Sequence, residues 1–376
     1  MGNIDKIREQ FPITKNKTFL NHAAQSPLPK PVADVMCKCI DELSNLGTTS
    51  MDWNDGGKPY FARLIGAEPG EISFVENTSM GLNIVANMLQ YPHSSKVVTT
   101  DLEYPSAVYP WLRKRLGVRV HYVKNVEGKV LLDDMEKAID DKTVAVVISH
   151  VEYANGFRHN LKVLSEMAHE HGAYLVVDAI QSVGTMPVDA ERDDVDFLAL
   201  SCYKWLLSPP GVGYLYVKDE LIDKFEPPFV GWASVNQEIF ETVDMWDIYE
   251  MPLAKTASRF EVGTPSYPSL TAANVAMKML LDFGIENVHE RIIQFTDRLI
   301  ENVRKLRLEV QTPEDKHHRS GIVNFKIREP EKVVEKLKEK GIIVSARANG
   351  IRVSPHFYNT EEEIDRLAKE IKSLKG

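Results

Sequence analysis

Short apolar runs alternate with amphipathic stretches through the middle of the chain. Ile72–Val75, Lys96–Thr100, Val118–Val123, Thr143–Ser149, Ala173–Val177, Phe197–Ser201 and Gly213–Val217 are mostly too short for buried helices and rich in β-branched or aromatic residues, which predicts strands. Between them Ser79–Leu89, Asp133–Ile139 and Leu161–His171 carry helical spacing, and Gly172 follows the last of these where a helix terminator belongs. Continuously apolar strands spaced by helices predict an α/β protein with a mostly parallel sheet covered on both faces.

After about residue 265 the pattern changes. Leu270–Phe283 and Val288–Leu306 predict two long helices. A strand (Ile322–Ile327), a charged helix (Glu331–Lys340), short strands near Ile342–Ser345 and Ile351–Ser354, and a last helix follow. That helix opens at Asn359 or Thr360, and Thr360 and Glu363 have the spacing of a capping box. The pattern divides the chain into an N-terminal arm (1–17), a large domain (18–265) and a small C-terminal α+β domain (266–376). A length of 376 residues allows for that division at roughly 150 residues per domain. The weakly periodic stretch before residue 60 is expected to wrap over the larger domain, with its first part able to pack on the small one.

Composition narrows the function classes. The hydrophobic fraction of 43% is ordinary for a globular protein, and a net charge of −9 with no basic block argues against nucleic acid or anionic membrane as a partner. The three cysteines, Cys37, Cys39 and Cys202, form neither a disulfide framework nor a zinc motif, which suits a reducing, cytoplasmic location. The N-terminus lacks a signal-peptide pattern, and no run approaches the roughly 18 apolar residues of a membrane span. His169 and His171 lack a Glu-x-x-His partner and His317-His318 reads as a solvated loop, so no metal site is expected.

Two strand ends carry chemistry. The run from Ala173 ends in Asp178, and the run from Phe197 ends in Ser201 with Lys204 three residues on. Alone, the aspartate reads as a cap and the lysine as a solvated amine. Lys204 follows Asp178 by 26 residues, one strand–helix–strand step, so both fall on neighbouring strand ends. Pyridoxal phosphate needs this pair: an amine for a Schiff base and a carboxylate that keeps the pyridine nitrogen protonated. Its phosphate needs donors at a helix start, and Thr78 and Ser79 open a predicted helix directly after a strand.

The segments Asp178-Ala-Ile-Gln181, Ser201-Cys-Tyr-Lys204-Trp, Arg259-Phe-Glu-Val-Gly263-Thr264-Pro265 and Arg352 with Tyr358-Asn-Thr-Glu-Glu-Glu-Ile-Asp365 together resemble the class V aminotransferase family. The resemblance runs from about Phe19 to about Leu367 and is nearest to the cysteine desulfurase and isopenicillin N epimerase branch. It implies the fold type I architecture of pyridoxal-phosphate enzymes, with a seven-stranded sheet, and a homodimer with shared active sites. It also implies that Lys204 holds the cofactor, Asp178 pairs with the ring nitrogen and Gln181 bonds the ring oxygen. By the same resemblance, Thr78, Ser79, Ser201 and, from a neighbouring subunit, Thr264 are expected to hold the phosphate. Tyr104 is expected to stack on the ring in place of a more usual histidine and is counted with the catalytic residues, and Tyr203, beside the lysine, is expected within reach of the phosphate. The resemblance also implies that Arg352 binds the substrate α-carboxylate, with Asn21 and His22 on the substrate side.

One departure matters. Cysteine desulfurases carry a catalytic cysteine shortly before the position of Arg352, whereas Val344–Arg352 here is short and has none. The expected activity is therefore an aminotransferase-type reaction at the α-amino group or Cα of a small amino acid. Epimerisation, or C–S lyase chemistry without a persulfide cysteine, stands as the alternative, and a non-catalytic pyridoxal-phosphate- or nucleotide-binding protein as the alternative of another class. A nucleotide site finds little support: Gly211-Val-Gly213 lacks a third glycine and precedes a strand, and there is no phosphate-binding G-x-x-x-x-G-K-[ST].

Overall fold

Short strands buried along almost their whole length build the frame. The computed structural model describes residues 4–50, 57–236 and 249–375. Its strands are β1 (Thr18–Phe19), β2 (Ile72–Val75), β3 (Lys96–Thr100), β4 (Arg119–Val123), β5 (Thr143–Ser149), β6 (Tyr174–Asp178), β7 (Phe197–Ser201), β8 (Gly213–Val217), β9 (Val323–Lys326), β10 (Ile342–Ile343), β11 (Ser345–Arg347) and β12 (Gly350–Val353). Seven of them form the central sheet in the order β2-β8-β7-β6-β5-β3-β4. The run β7-β6-β5-β3-β4 is parallel, and β8 lies antiparallel to both its neighbours.

The period of two places both faces of this sheet in apolar surroundings. Val146, Ile148, Leu175, Val177, Leu198 and Leu200 join Phe61, Leu164 and Met277 on one side. Ala145, Val147, Val176, Phe197 and Ala199 join Leu82, Val85 and Trp111 on the other. The helix Thr78–Met88 approaches β7 very closely: a Cβ on Gly81 would stand 2.8 Å from the Ala199 Cβ. A larger residue there would push the helix start away from the end of β7.

The expected boundary near residue 265 does not coincide with a change of core. The helix Tyr267–Phe283 begins three residues before the predicted start, its early Pro268 being tolerated in the first turn. It buries Leu270, Ala273, Ala276 and Met277 in the same cluster as the central sheet. The next helix, Ile285–Lys305, gives Ile285, Val288 and Ile292 to that cluster, and Phe295, Leu299 and Val303 to a separate one. The second cluster backs a three-stranded antiparallel sheet, β11-β12-β9, with the helices Pro330–Glu339 and Glu361–Lys375. Thr360 N–H donates to Glu363 Oε2 at 3.0 Å, one half of the expected capping box.

The N-terminal stretch packs on both parts. Helix Lys30–Leu46 lies on Tyr267–Phe283, and Phe11 and Val32 enter the large cluster. β1 instead pairs in parallel with β10, Leu20 enters the small cluster, and Asn21 bridges Ser354. The single strand expected over Ile342–Ser345 is thus split: β10 serves β1, and β11 turns back on β12.

Candidate active site

Parallel strands end together, so their C-terminal residues share one edge. Ser149 of β5 lies opposite Asp178 of β6, and Asp178 opposite Ala199 of β7, two residues before Ser201. Against this edge stands the start of helix Thr78–Met88, capped by Asn77 Oδ1, which accepts from Met80 N–H at 3.0 Å. Thr78 donates its N–H to Ser201 Oγ at 2.8 Å, and the two hydroxyls lie 3.0 Å apart. The Ser79 hydroxyl meets that of Ser106 at 2.8 Å. Hydroxyls and a helix N-terminus thus converge where an anion is favoured.

Lys204 sits in the turn after β7, 8% exposed. The N-terminal stretch holds this turn: Ser26 N–H donates to Tyr203 O at 3.0 Å, and Ser26 Oγ donates to Lys204 O. The Lys204 Nζ makes no hydrogen bond or ion pair with any described residue and lies 5.8 Å from the ring centres of both Tyr104 and Tyr203. Burial pulls the amine down to about 8; Asp178 opposes this, and Arg352 and Arg347 add to it. Asp178 is buried, with Oδ1 accepting from Ile180 N–H at 2.9 Å. Burial pushes its carboxyl up to about 6, against the Ile180 bond and the Lys204 charge.

Arg352 lies on β12, 2% exposed, with Ile351 and Val353 turned the other way into the small cluster, as strand alternation predicts. Its Nη1 donates to Tyr153 O at 2.8 Å, and its buried Nε has no partner among the described residues. Tyr153 in turn meets the half-exposed Tyr104 ring edge-on at 5.2 Å.

The other expected residues differ in how free they are. Gln181 donates to Ala23 O at 3.0 Å and accepts from Trp205 Nε1–H at 2.8 Å, which leaves one amide hydrogen for anything else. Asn21 has a buried, unpartnered Oδ1. His22 does not face a ligand. It is fully buried, its Nδ1 meets Ser354 O at 2.9 Å and its Nε2 meets the Tyr358 hydroxyl at 2.8 Å, among the rings of Phe19, Trp205 and His356. Both nitrogens being engaged, the expectation of a substrate contact from His22 is withdrawn. Thr264 is exposed in a cleft of about 370 Å³ with Phe74, Glu76 and Gly211, which neither Lys204 nor Asp178 lines.

Three carboxyls meet at this edge, Asp178 and Glu152 buried and Glu103 partly so, and the sequence pattern singles out only the first. Glu103 accepts from Ser149 N–H and Oγ–H, both at 2.6 Å, and burial, then Glu152, push it well above the usual carboxylate range. Glu152 follows the end of β5; its Oε1 meets His159 Nε2 at 3.1 Å and Thr100 Oγ1 at 3.3 Å, and Oε2 is buried without a described partner. Burial raises Glu152 to about 8 and lowers His159 to about 3, so their contact is a neutral hydrogen bond. Glu152 carries the same signal that marked Asp178, a carboxylate just beyond an apolar strand. Glu103 follows no apolar run of that kind.

The hairpin before Arg352 accounts for the missing cysteine. Arg347 pairs with Gly350, so only Ala348 and Asn349 form the turn, with φ of 48° and 57°. Two left-handed residues make the tight turn that right-twisted strands favour and leave no loop to carry a mobile side chain. Cys39 and Cys202 are buried, Cys37 lies on the exposed side of helix Lys30–Leu46, and burial pushes the Cys202 thiol well above its ordinary range.

An unpaired buried amine, a buried carboxylate beside it, a hydroxyl-lined helix start and a guanidinium with a free N–H fit an aldehyde, a pyridinium nitrogen, a phosphate and a substrate carboxylate. Fold and donor set define an enzyme of the pyridoxal-phosphate class, fold type I. The chain belongs to the class V aminotransferase family, whose model matches residues 18–367. It is 30% identical over 370 residues to YcbU, an uncharacterized aminotransferase of Bacillus subtilis (strain 168), covering 98% of this chain and 97% of that one. It is 31% identical over 407 residues to a probable cysteine desulfurase of Pyrococcus abyssi, covering 99% and 98%. The apo structure of a cysteine desulfurase from Thermococcus onnurineus NA1 superposes with a TM-score of 0.87 at 27% identity, covering 99% of this chain and 98% of that one.

Proposed function

We propose that this enzyme catalyses an aminotransferase-type reaction on an amino acid, with Lys204 as the residue that holds pyridoxal phosphate. The observation that carries this reading is the buried Lys204 Nζ, without a hydrogen bond to any described residue, beside the buried Asp178 carboxyl. Bound there, the cofactor supplies an electron sink for the pair left when a bond to the substrate Cα breaks. The chain's own groups do the rest. Asp178, ionised at neutral pH and made basic by burial, keeps a proton on the ring nitrogen. Ser201, Thr78 and Ser79 hold the phosphate at the helix start. Arg352 takes the α-carboxylate through its fork of donors, and this orients the Cα–H bond. With the cofactor bound, Lys204, whose amine burial pulls down from its ordinary value, would be the group placed to accept the Cα proton at Nζ. Tyr104, whose ring centre lies 5.8 Å from the Lys204 Nζ, would cover the cofactor ring.

A C–S lyase reaction without a persulfide is the second reading, favoured by the desulfurases among the relatives and by the two-residue turn that stands where they carry a cysteine. Cytoplasmic location and a homodimer with shared sites complete the proposal. The exposed Thr264, away from Lys204 of its own chain, is suited to reach the phosphate of a second subunit. Incubating the holoenzyme with single amino acids, and following the cofactor spectrum with and without 2-oxo acids, separates the two readings. Spectral return that depends on an oxo acid supports transamination. Release of sulfide from cysteine without one supports the lyase.

A further inference from the structure

Two arginines, not one, face the reacting centre. In the β11–β12 hairpin Ser345 lies opposite Arg352 and Arg347 opposite Gly350. Side chains two apart on one strand share a face, so Arg347 and Arg352 are diagonal neighbours on the face away from Ile351 and Val353. Diagonal positions lie roughly 7–8 Å apart, within reach of two long side chains. Arg352 fixes the direction of this face, since it donates to Tyr153 O above the site. The tight turn at Ala348 and Asn349 holds both arginines in register.

Their charge is unbalanced. Three arginines elsewhere that are buried or partly buried meet carboxylates, Arg8 with Glu363, Arg259 with Asp223 and Arg319 with Asp297, while the partly buried Arg158 and Arg291 are each held by two main-chain carbonyls. Neither Arg347 nor Arg352 forms an ion pair with a described residue. Arg347 donates only to Ala346 O, beside it in the chain, and Arg352 keeps a buried Nε unpartnered. Lys204 adds a third cation, and the charge of Arg347 weighs on both Lys204 and Arg352. The carboxyls nearby are held from other sides: Asp178 by Ile180 N–H, Glu103 by Ser149, and Glu152 by Thr100 and His159. A substrate with one carboxylate balances one guanidinium and leaves the other facing like charge.

We infer that the site takes an amino acid with a second carboxylate in its side chain, Arg352 engaging the α-carboxylate and Arg347 the distal one. This rests on the proposed function and names its substrate class, aspartate- or glutamate-like. Arg347 is then the specificity-determining residue. Being exposed, it can be changed without opening the core.

The test measures binding of two amino acids that cannot lose a Cα proton, 2-methylaspartate and 2-aminoisobutyrate, by the change in cofactor absorption of the holoenzyme. Wild type should bind 2-methylaspartate roughly tenfold or more tightly than 2-aminoisobutyrate, as a charge-assisted fork contact implies. Arg347→Gln should remove that preference by weakening 2-methylaspartate alone, and Arg347→Lys should keep part of it. Equal binding of the two ligands by wild type would overturn the inference. So would Arg347→Gln weakening both alike, since the residue would then act on the cofactor or the α-carboxylate. If neither ligand perturbs the cofactor of wild type, the reading of the site itself falls, a result distinct from equal binding.

Discussion

Asp178 and Lys204 are opposite charges buried at the ends of neighbouring strands, yet no ion pair joins them. Asp178 Oδ1 is bonded to Ile180 N–H, and Lys204 Nζ is held between two tyrosine rings. Burial moves each toward its neutral form, the carboxyl up to about 6 and the amine down to about 8, and the charge of the other only partly resists. The free chain thus stores an unfavourable charge arrangement that a ligand between the two groups can relieve.

That cost is measurable without cofactor. The folded value for Lys204 lies below the 10.5 of an unfolded lysine. Below about pH 8 the fold bears the full cost of the buried ammonium; between about 8 and 10.5 the unfolded chain binds more protons, and wild type gains stability as pH rises. Cofactor-free Lys204→Met should be more stable than cofactor-free wild type at pH 7, by on the order of 1–3 kcal/mol. The advantage should fade toward pH 10.5. Melting curves at pH 7 and pH 10 check this, and a variant that melts lower at pH 7 contradicts it.

Asp178→Asn should keep the cofactor and lose turnover by roughly 10²-fold or more, because an amide cannot hold a proton on the ring nitrogen by charge. Thr78, Ser79 and Ser201 remain to hold the phosphate, so cofactor retained after dialysis should change little. Full turnover in this variant would assign the ring nitrogen to another residue.

Much of this was legible in the chain. Lys96–Thr100, Thr143–Ser149, Phe197–Ser201 and Gly213–Val217 are strands over those very residues, because strands covered on both faces read as short runs rich in apolar, β-branched and aromatic residues, and two of the parallel ones, β5 and β7, end in a serine. Asp178, Ser201 and Lys204 stood out for that reason. What spacing along the chain does not carry is which core an element joins. The helix Tyr267–Phe283 reads as the first element of a second domain and packs into the first, since an apolar stripe does not name its partner. His22 sits in the right segment but turns into the aromatic core. Arg347 carries no signal of its own along the chain; the register of the hairpin puts it on one face with Arg352.

The cysteines should be dispensable. A Cys37→Ser, Cys39→Ser, Cys202→Ser variant is expected to keep the amino-acid activity of wild type within a few-fold, since the two buried thiols are enclosed and Cys37 lies on the helix Lys30–Leu46. Activity assays beside a thermal melt separate loss of chemistry from loss of fold. A desulfurase activity that vanishes in a folded triple variant would mean that a thiol carries sulfur.

Shared sites predict complementation. Lys204→Ala and Thr264→Ala subunits, each poorly active alone, should recover activity when mixed, because a mixed dimer has one site with both lesions and one with neither. Activity of the mixture above the sum of its parts checks this. No recovery in heterodimers verified by mass would place Thr264 outside the neighbour's site.

The central claim is that Lys204 is the amine that holds the cofactor, and borohydride reduction of the holoenzyme followed by peptide mass analysis tests it most directly. The account predicts the reduced cofactor's mass on the peptide containing Lys204, and a Lys204→Ala protein that reduction leaves unlabelled. Label on another lysine, or a wild-type cofactor spectrum in Lys204→Ala, would contradict it.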